Sequence, residues 1–216
     1  MADTTIDDDS WAQATEQRIL DEALPLVPNL GWSRMTLAAA GRAAGLSEPE
    51  VDLLLPNGPQ DLAALLSRRH DAAALASLPD AGGLKIRERI RIGVIARLDA
   101  AAADREAVRR WAGFLALPMN LTLAGRLIWE TADGLWRWAG DTATDENHYS
   151  KRAILAGVLL SSLAVDLASG REAALANLDA RIENVMAFEK WKAGLKPADF
   201  AKDVAGALAR IRFGRA

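Results

Sequence analysis

Two stretches of this chain, 118–139 and 145–168, are apolar almost all the way round when wound as helices of about six turns each. A helix with no polar face to offer water has to be enclosed by protein or by a bound apolar molecule, so the rest of the chain must fold around this pair. The first stretch carries Leu121, Leu123, Leu127, Ile128, Trp129, Leu135, Trp136 and Trp138, and the second Ile154, Leu155, Val158, Leu159, Leu160, Leu163 and Leu167. Small residues stand among them: Ala124, Gly125, Ala132 and Gly134 on the first, Ala156, Gly157, Ser161 and Ser162 on the second. Small side chains in such a stripe either let helices approach closely or leave room for a ligand, and the pattern allows both. No run reaches the ~18 uninterrupted apolar residues of a membrane span, so any contact with a bilayer is expected to be peripheral.

The remaining sequence also reads as helix. Alanine is abundant, β-branched and aromatic residues are sparse, and no hairpin signature occurs, which makes the fold all-α. Helices are expected at 11–27, stopped by Pro28, then at 35–44 and 47–55 around Ala44-Gly45-Leu46, the second with Ser47 as N-cap, Pro49 in its first turn and Glu50 at the capping-box position. Others follow at 59–75, 84–103, 106–117, the two central stretches, 172–192, and 198–212 after a break at Gly194 to Pro197. About ten helices result, organised as an acidic, disordered tail at 1–10, a helix-turn-helix subdomain at 11–78, a body at 84–192 and an amphipathic helix within 197–216. A length of 216 residues supports one sizeable core. The absence of cysteine excludes disulfides and thiolate chemistry. The acidic first residues lack the charge and apolar pattern of a leader, and the expected location is cytoplasmic.

The loop between the central helices, Leu135 to Arg152, concentrates unusual chemistry: two tryptophans, a Gly-Asp turn, a histidine, the only tyrosine and a Lys-Arg pair. Gly140 suits the left-handed residue that closes a helix, and Asp141, Thr142, Thr144 and Asp145 offer caps for the next one. The residues Trp136-x-Trp138-Ala139-Gly140-Asp141 and Asp145-x-Asn147-x-Tyr149-x-Lys151-Arg152 are similar to the signature of the Coq-nine family, lipid-binding accessory proteins of ubiquinone biosynthesis. Arg18-Ile19-Leu20, Val27-Pro28, Gly31-Trp32, Gly45-Leu46-Ser47 and Leu178-Asp179-x-Arg181-Ile182-Glu183 resemble that family in the same order. Glu146 and His148 depart from the pattern, which carries aromatic residues there.

The resemblance implies a TetR-like helical bundle that pairs as a homodimer, binds a ubiquinone precursor or other isoprenoid lipid, and presents it to the pathway's di-iron hydroxylase or an equivalent enzyme. It implies a lipid site at Leu121, Gly125, Ile128, Trp129 and Trp136 of the first central helix and Leu155, Val158, Leu159, Ser162 and Leu163 of the second. The implied partner surface is Asp141, Asp145, Asn147, His148, Tyr149 and Arg152. The implied setting is the cytoplasmic face of a bacterial inner membrane.

Other function classes fare worse on the residues themselves. The helix-turn-helix invites a DNA-regulator reading, but between Ala43 and Leu66 there are four acidic residues and no Lys or Arg, a face that repels phosphates, so no nucleic-acid partner is expected. No nucleophile-base pair or phosphate loop is recognisable. Glu146 and His148 would sit roughly 200° apart on a helix, which suits no metal motif. The chain is therefore expected to be no enzyme and to need no metal or cofactor. The C-terminal stretch favours membrane contact: Phe200, Val204, Leu208 and Ile211 form one stripe followed by Phe213, and Lys202, Arg210 and Arg212 supply positive charge for anionic lipid.

Overall fold

The computed structural model of the chain describes the backbone of residues 4–142 and 146–194, and the side chains of residues 10–142 and 148–187. Helix α1 (Thr4–Ala23) begins earlier than Trp11, inside the stretch expected as a tail. Pro28 does not end it. The chain turns at 24–26 and restarts as the single-turn α2 (Val27–Leu30), with Pro28 in a first turn where its missing N–H would have no partner anyway. Two short helices follow, α3 (Arg34–Ala43) and α4 (Glu48–Leu54). The Ser33 hydroxyl caps α3 by accepting from the Thr36 N–H at 3.2 Å, and the Ser47 N–H donates to Glu50 Oε2 at 2.8 Å in the expected capping box of α4. Gly45, at φ 78°, supplies the left-handed turn between them.

The body contains α5 (Pro59–Ser77), α6 (Ile86–Ala102), α7 (Arg105–Leu115), a 3-10 turn (Pro118–Asn120), α8 (Leu121–Trp138), α9 (Glu146–Ser169) and α10 (Arg171–Gly194). The turn at Pro118 bends the chain by 96° between α7 and the helix after it. Buried Asn120 holds that bend, donating to the Phe114 carbonyl and accepting from Gln60 Nε2, each at 2.8 Å. Ten α-helices are thus present among the described residues; α2 was not expected, and the expected 198–212 helix lies outside them. The architecture is compatible with the implied TetR-like arrangement.

Packing does not stop at the break between α5, which ends at Ser77, and α6, which starts at Ile86. The first core cluster joins Ile19, Leu20, Trp32, Leu62 and Leu66 to Ala107 and Val108 of α7. Two indoles tie the same parts together: Trp32 Nε1 donates to the Ala107 carbonyl at 3.3 Å, and Trp111 Nε1 to the Ala63 carbonyl at 2.9 Å. The helix-turn-helix and the body therefore share one core. A second cluster packs Val94 and Leu98 of α6, Ala132 and Leu135 of α8, Leu155, Val158 and Leu159 of α9, and Ala174 and Leu178 of α10.

Helix α9 lies at the centre of that second cluster. Over His148–Ser169 it is long and apolar enough to cross a membrane by length and composition. Yet it carries Lys151, Arg152 and Asp166, and each is ion-paired inside the fold, to Asp141, to Asp133 and Asp141, and to Arg105 and Arg171 respectively. Those pairings fit a core helix, because a charge in hydrocarbon has no such partners.

Candidate functional site: a braced loop and two apolar cavities

The end of α8 closes as the sequence suggests. Gly140 adopts φ 84°, its N–H bonds to the Arg137 carbonyl at 3.0 Å, and the Asp141 N–H reaches back to the Trp136 carbonyl at 2.9 Å. This pair of bonds satisfies carbonyls that the helix end would leave open. Arg89 of α6 then clamps the turn, donating from Nη1 to the Ala139 carbonyl at 2.6 Å and from Nε to the Leu84 carbonyl at 2.9 Å.

Across the loop, Arg152 links the two central helices. Its Nε donates to Asp133 Oδ1 at 2.6 Å, and its Nη1 to Asp141 Oδ2 and to the His148 carbonyl, both at 3.1 Å. Lys151 Nζ bonds the other oxygen of Asp141 at 2.6 Å, and Arg137 Nη2 lies 2.8 Å from Asp133. The Arg152 side chain is only 2% exposed and that of Asp141 5%. Burial pushes the Asp141 carboxyl up, but the hydrogen bonds and charges of Lys151 and Arg152 outweigh it and hold the group below its usual range. Trp136 completes the brace, its Nε1 donating to the Lys151 carbonyl at 3.0 Å while Lys151 Nζ sits 5.5 Å from the ring centroid.

This geometry corrects the expected partner surface. Asp141 and Arg152 face inward and hold the loop; as the fold stands they present nothing to a partner. Asp133, which the sequence reading passed over, completes their ion pairs. The exposed feature is an aromatic group: Tyr149 is 64% exposed, its ring lies 6.1 Å from Trp129 and 5.2 Å from His148, and the His148–Tyr149 contact is edge-on. Trp129, expected at the lipid site, belongs to this surface. Asp145 and the Asn147 side chain lie outside what the structure describes, as do Phe200, Lys202, Val204, Leu208, Arg210, Ile211, Arg212 and Phe213.

The remaining lipid-site candidates divide between two apolar cavities. One of about 360 Å³ lies among α5 to α9 and takes Leu121, Ile128, Leu159 and Leu163 together with Trp111, Leu115 and Leu160. Another of about 240 Å³ lies where α6, α8, α9 and α10 meet and takes Trp136, Leu155 and Val158 together with Ile90, Ile154 and Ile182. The larger falls within the range of small-molecule sites and the smaller just below it. Gly125 and Ser162 line neither, which corrects two candidates: Gly125 is exposed and the Ser162 hydroxyl is enclosed in the fold with no partner. The walls from α6, α7 and α10 were not foreseen. Ile86 and Ile90 stand four residues apart on one face of α6, but nothing in the sequence indicates which helices adjoin that face.

The COQ9 family profile matches residues 121–189, which span α8, α9 and most of α10. Beyond that segment, the ubiquinone biosynthesis protein COQ9 of Xenopus tropicalis is 30% identical over 151 residues, covering 66% of this chain and 48% of that protein. The rat and human proteins of the same name are each 28% identical over the same length and cover the same shares.

Over residues 121–189 the chain is similar to the COQ9 family. It spans about half the length of the curated COQ9 relatives it matches. These relatives also overturn the expected setting. Their names place them in mitochondria, which points to a mitochondrial location rather than the cytoplasmic face of a bacterial inner membrane.

Proposed function

We propose that this chain is a lipid-binding accessory protein of ubiquinone biosynthesis, which holds an isoprenoid precursor and presents it to the pathway's di-iron hydroxylase or an equivalent partner without itself catalysing the chemistry. The observation that carries the reading is the juxtaposition within the family-matching segment: apolar cavities along α8 and α9, and beside them an exposed Tyr149–Trp129 face on an internally braced loop. Lifting an isoprenoid from a bilayer costs roughly 0.8 kcal/mol per CH₂, and an apolar cavity on the presenting protein offsets part of that. A rigidly mounted aromatic next to the cavity suits a partner contact, because few rotamers are lost when it binds. Exposed Leu121 and Leu160 support pairing of two copies along the central helices. The apolar stripe within 197–216 and the cations beside it support peripheral contact with anionic lipid.

Organic extraction and mass spectrometry of protein purified without detergent tests the lipid half; a co-purified polyprenyl compound near one per chain or per dimer is expected, and an empty protein that takes up no isoprenoid from vesicles refutes it. For the partner half, Tyr149→Ala is expected to weaken hydroxylase capture by about 1 to 3 kcal/mol with the fold intact. Unchanged capture by calorimetry means that the aromatic face is not the contact.

A further inference from the structure

The corner where α7 gives way to α8 displays an apolar run. Ala116, Leu117, Pro118 and Met119 follow one another there and all four are exposed, Met119 at 76% and Leu117 at 43%. The run is stiffly mounted, because Leu115 before it and Asn120 after it are buried and Asn120 bonds both the Phe114 carbonyl and Gln60. The chain enters and leaves the corner at 96°, so these residues form a convex point and not a groove. Together α7 and α8 are apolar enough, by composition, for a segment that dips into a membrane and returns. Contiguous exposed apolar side chains of this kind mark a contact surface.

Charge selects what the point contacts. From Ala107 to Trp129 every charged residue is an arginine, Arg109 and Arg110 before the corner and Arg126 after it. At ~1.5 Å per residue they stand about 10 Å back from the tip along their helices, the depth at which phosphates lie when an apolar tip enters the acyl boundary. The Arg109 and Arg126 side chains are 53% and 58% exposed, and their carboxylate neighbours Glu106 and Glu130 hold them only loosely, at 4.0 and 3.8 Å. Arg110 is exposed and bonds the uncharged Pro28 carbonyl. The carboxylate beside Met119, that of Asp61, is occupied by the N–H and side-chain amide of Asn57 at 2.7 and 3.1 Å. An uncharged point flanked by exposed cations complements anionic lipid. We propose that the α7–α8 corner, residues 116–119, is a wedge that docks the protein on an anionic bilayer, its apolar tip among the acyl chains and Arg109, Arg110 and Arg126 at the phosphates. This rests on the peripheral-membrane part of the reading above and adds a contact surface separate from the 197–216 stripe. Leu115 and Ala116 also wall the larger cavity, so a seated corner sets that wall against lipid.

The chain contains no cysteine, so Met119→Cys gives the full chain a single thiol for the environment-sensitive fluorophore NBD. Leu53→Cys, labelled in the same way, is the control, because Leu53 is 82% exposed on α4 beside the acidic Glu50 and Asp52. With mixed phosphatidylcholine–phosphatidylglycerol vesicles, the label at position 119 should shift to the blue, brighten several-fold and be quenched by doxyl-labelled lipid, while the label at position 53 keeps its spectrum in water. In flotation, Leu117→Glu combined with Met119→Glu should weaken partition about tenfold, the ratio expected from keeping one apolar side chain out of the acyl region. The circular dichroism melt of that variant should match wild type, since both positions are exposed. A label at 119 that stays in water on vesicle-bound protein, or partition untouched by the two glutamates, would overturn the wedge and leave membrane contact to 197–216. A label at 119 that is buried without vesicles, increasingly so with protein concentration, would overturn it in favour of a second copy of the chain. Protein that never floats would overturn the peripheral-membrane reading together with it.

Discussion

Replacing Arg152 with methionine removes the tie between α8 and α9 while leaving a side chain of similar length and no charge. Three hydrogen bonds disappear, to Asp133, Asp141 and the His148 carbonyl. Breaking a buried ion pair costs about 3 to 5 kcal/mol when a charge is stranded. Here neither carboxylate is stranded, because Asp133 keeps Arg137 at 2.8 Å and Asp141 keeps Lys151 at 2.6 Å. The expected loss is therefore about 2 to 3 kcal/mol, set by the lost charge-assisted hydrogen bonds and partly offset by the apolar side chain. For a chain of this size that lowers Tm by roughly 4 to 12 °C. Asp141→Asn should cost about half as much or less, since Arg152 retains Asp133. Thermal melts followed by circular dichroism measure both, and hydrogen exchange should localise the loosening to residues 133–152 with α1 to α4 unaffected. A Met variant that melts within about 2 °C of wild type, or an Asn variant that is the more damaged of the two, would refute the claim that Arg152 is the brace.

Three other substitutions probe different parts of the fold. In Gly41→Ala the new Cβ would run into the Val51 side chain, so the helix-turn-helix should lose about 1 to 3 kcal/mol in urea denaturation, with Val51→Ala in the same chain recovering most of it. Gly140→Ala forces a Cβ onto a residue at φ +84° and should cost about 1 to 2 kcal/mol by the same assay, without abolishing the fold. His70, 4% exposed, bonds Asp104 Oδ2 through Nε2 at 2.8 Å; burial lowers its pKa below the ordinary 6.5, and Asp104 only partly restores it. Because the folded state then binds fewer protons than the unfolded chain, stability is full above about pH 6.5 and falls as the pH drops below it. His70→Gln should flatten the decline of Tm between pH 7 and 5, and an unchanged slope would assign that decline to the carboxylates.

Helix positions were legible because the signals that set them are local. The Ser47–Glu50 capping box, the Gly45 turn and the Gly140 stop each depend on residues at most five apart, and each appears where the spacing places it. The enclosure of α9 follows from its apolar circumference, and the acidic residues of α4 weigh against a DNA-binding reading from the sequence alone. The family signature was legible too, since it lies in the loop that joins the two central helices.

What only the tertiary structure decided is which way charged and small residues face once helices distant in sequence are packed. Arg152 and Asp141 look like surface groups in a polar loop, and become interior ones because they pair with each other while Asp133 adds a counter-charge for Arg152 and Lys151 one for Asp141, which makes their burial tolerable. One apolar stripe on α8 and α9 became two cavities because α6 and α10 close one side and α7 the other. Ser67 and Arg97 reach the larger of them from helices that carry no sign of it in their own spacing. Periodicity records which face of a helix is apolar, whereas the identity of the neighbour and the pairing of its charges are properties of packing, where residues tens of positions apart share one dielectric environment.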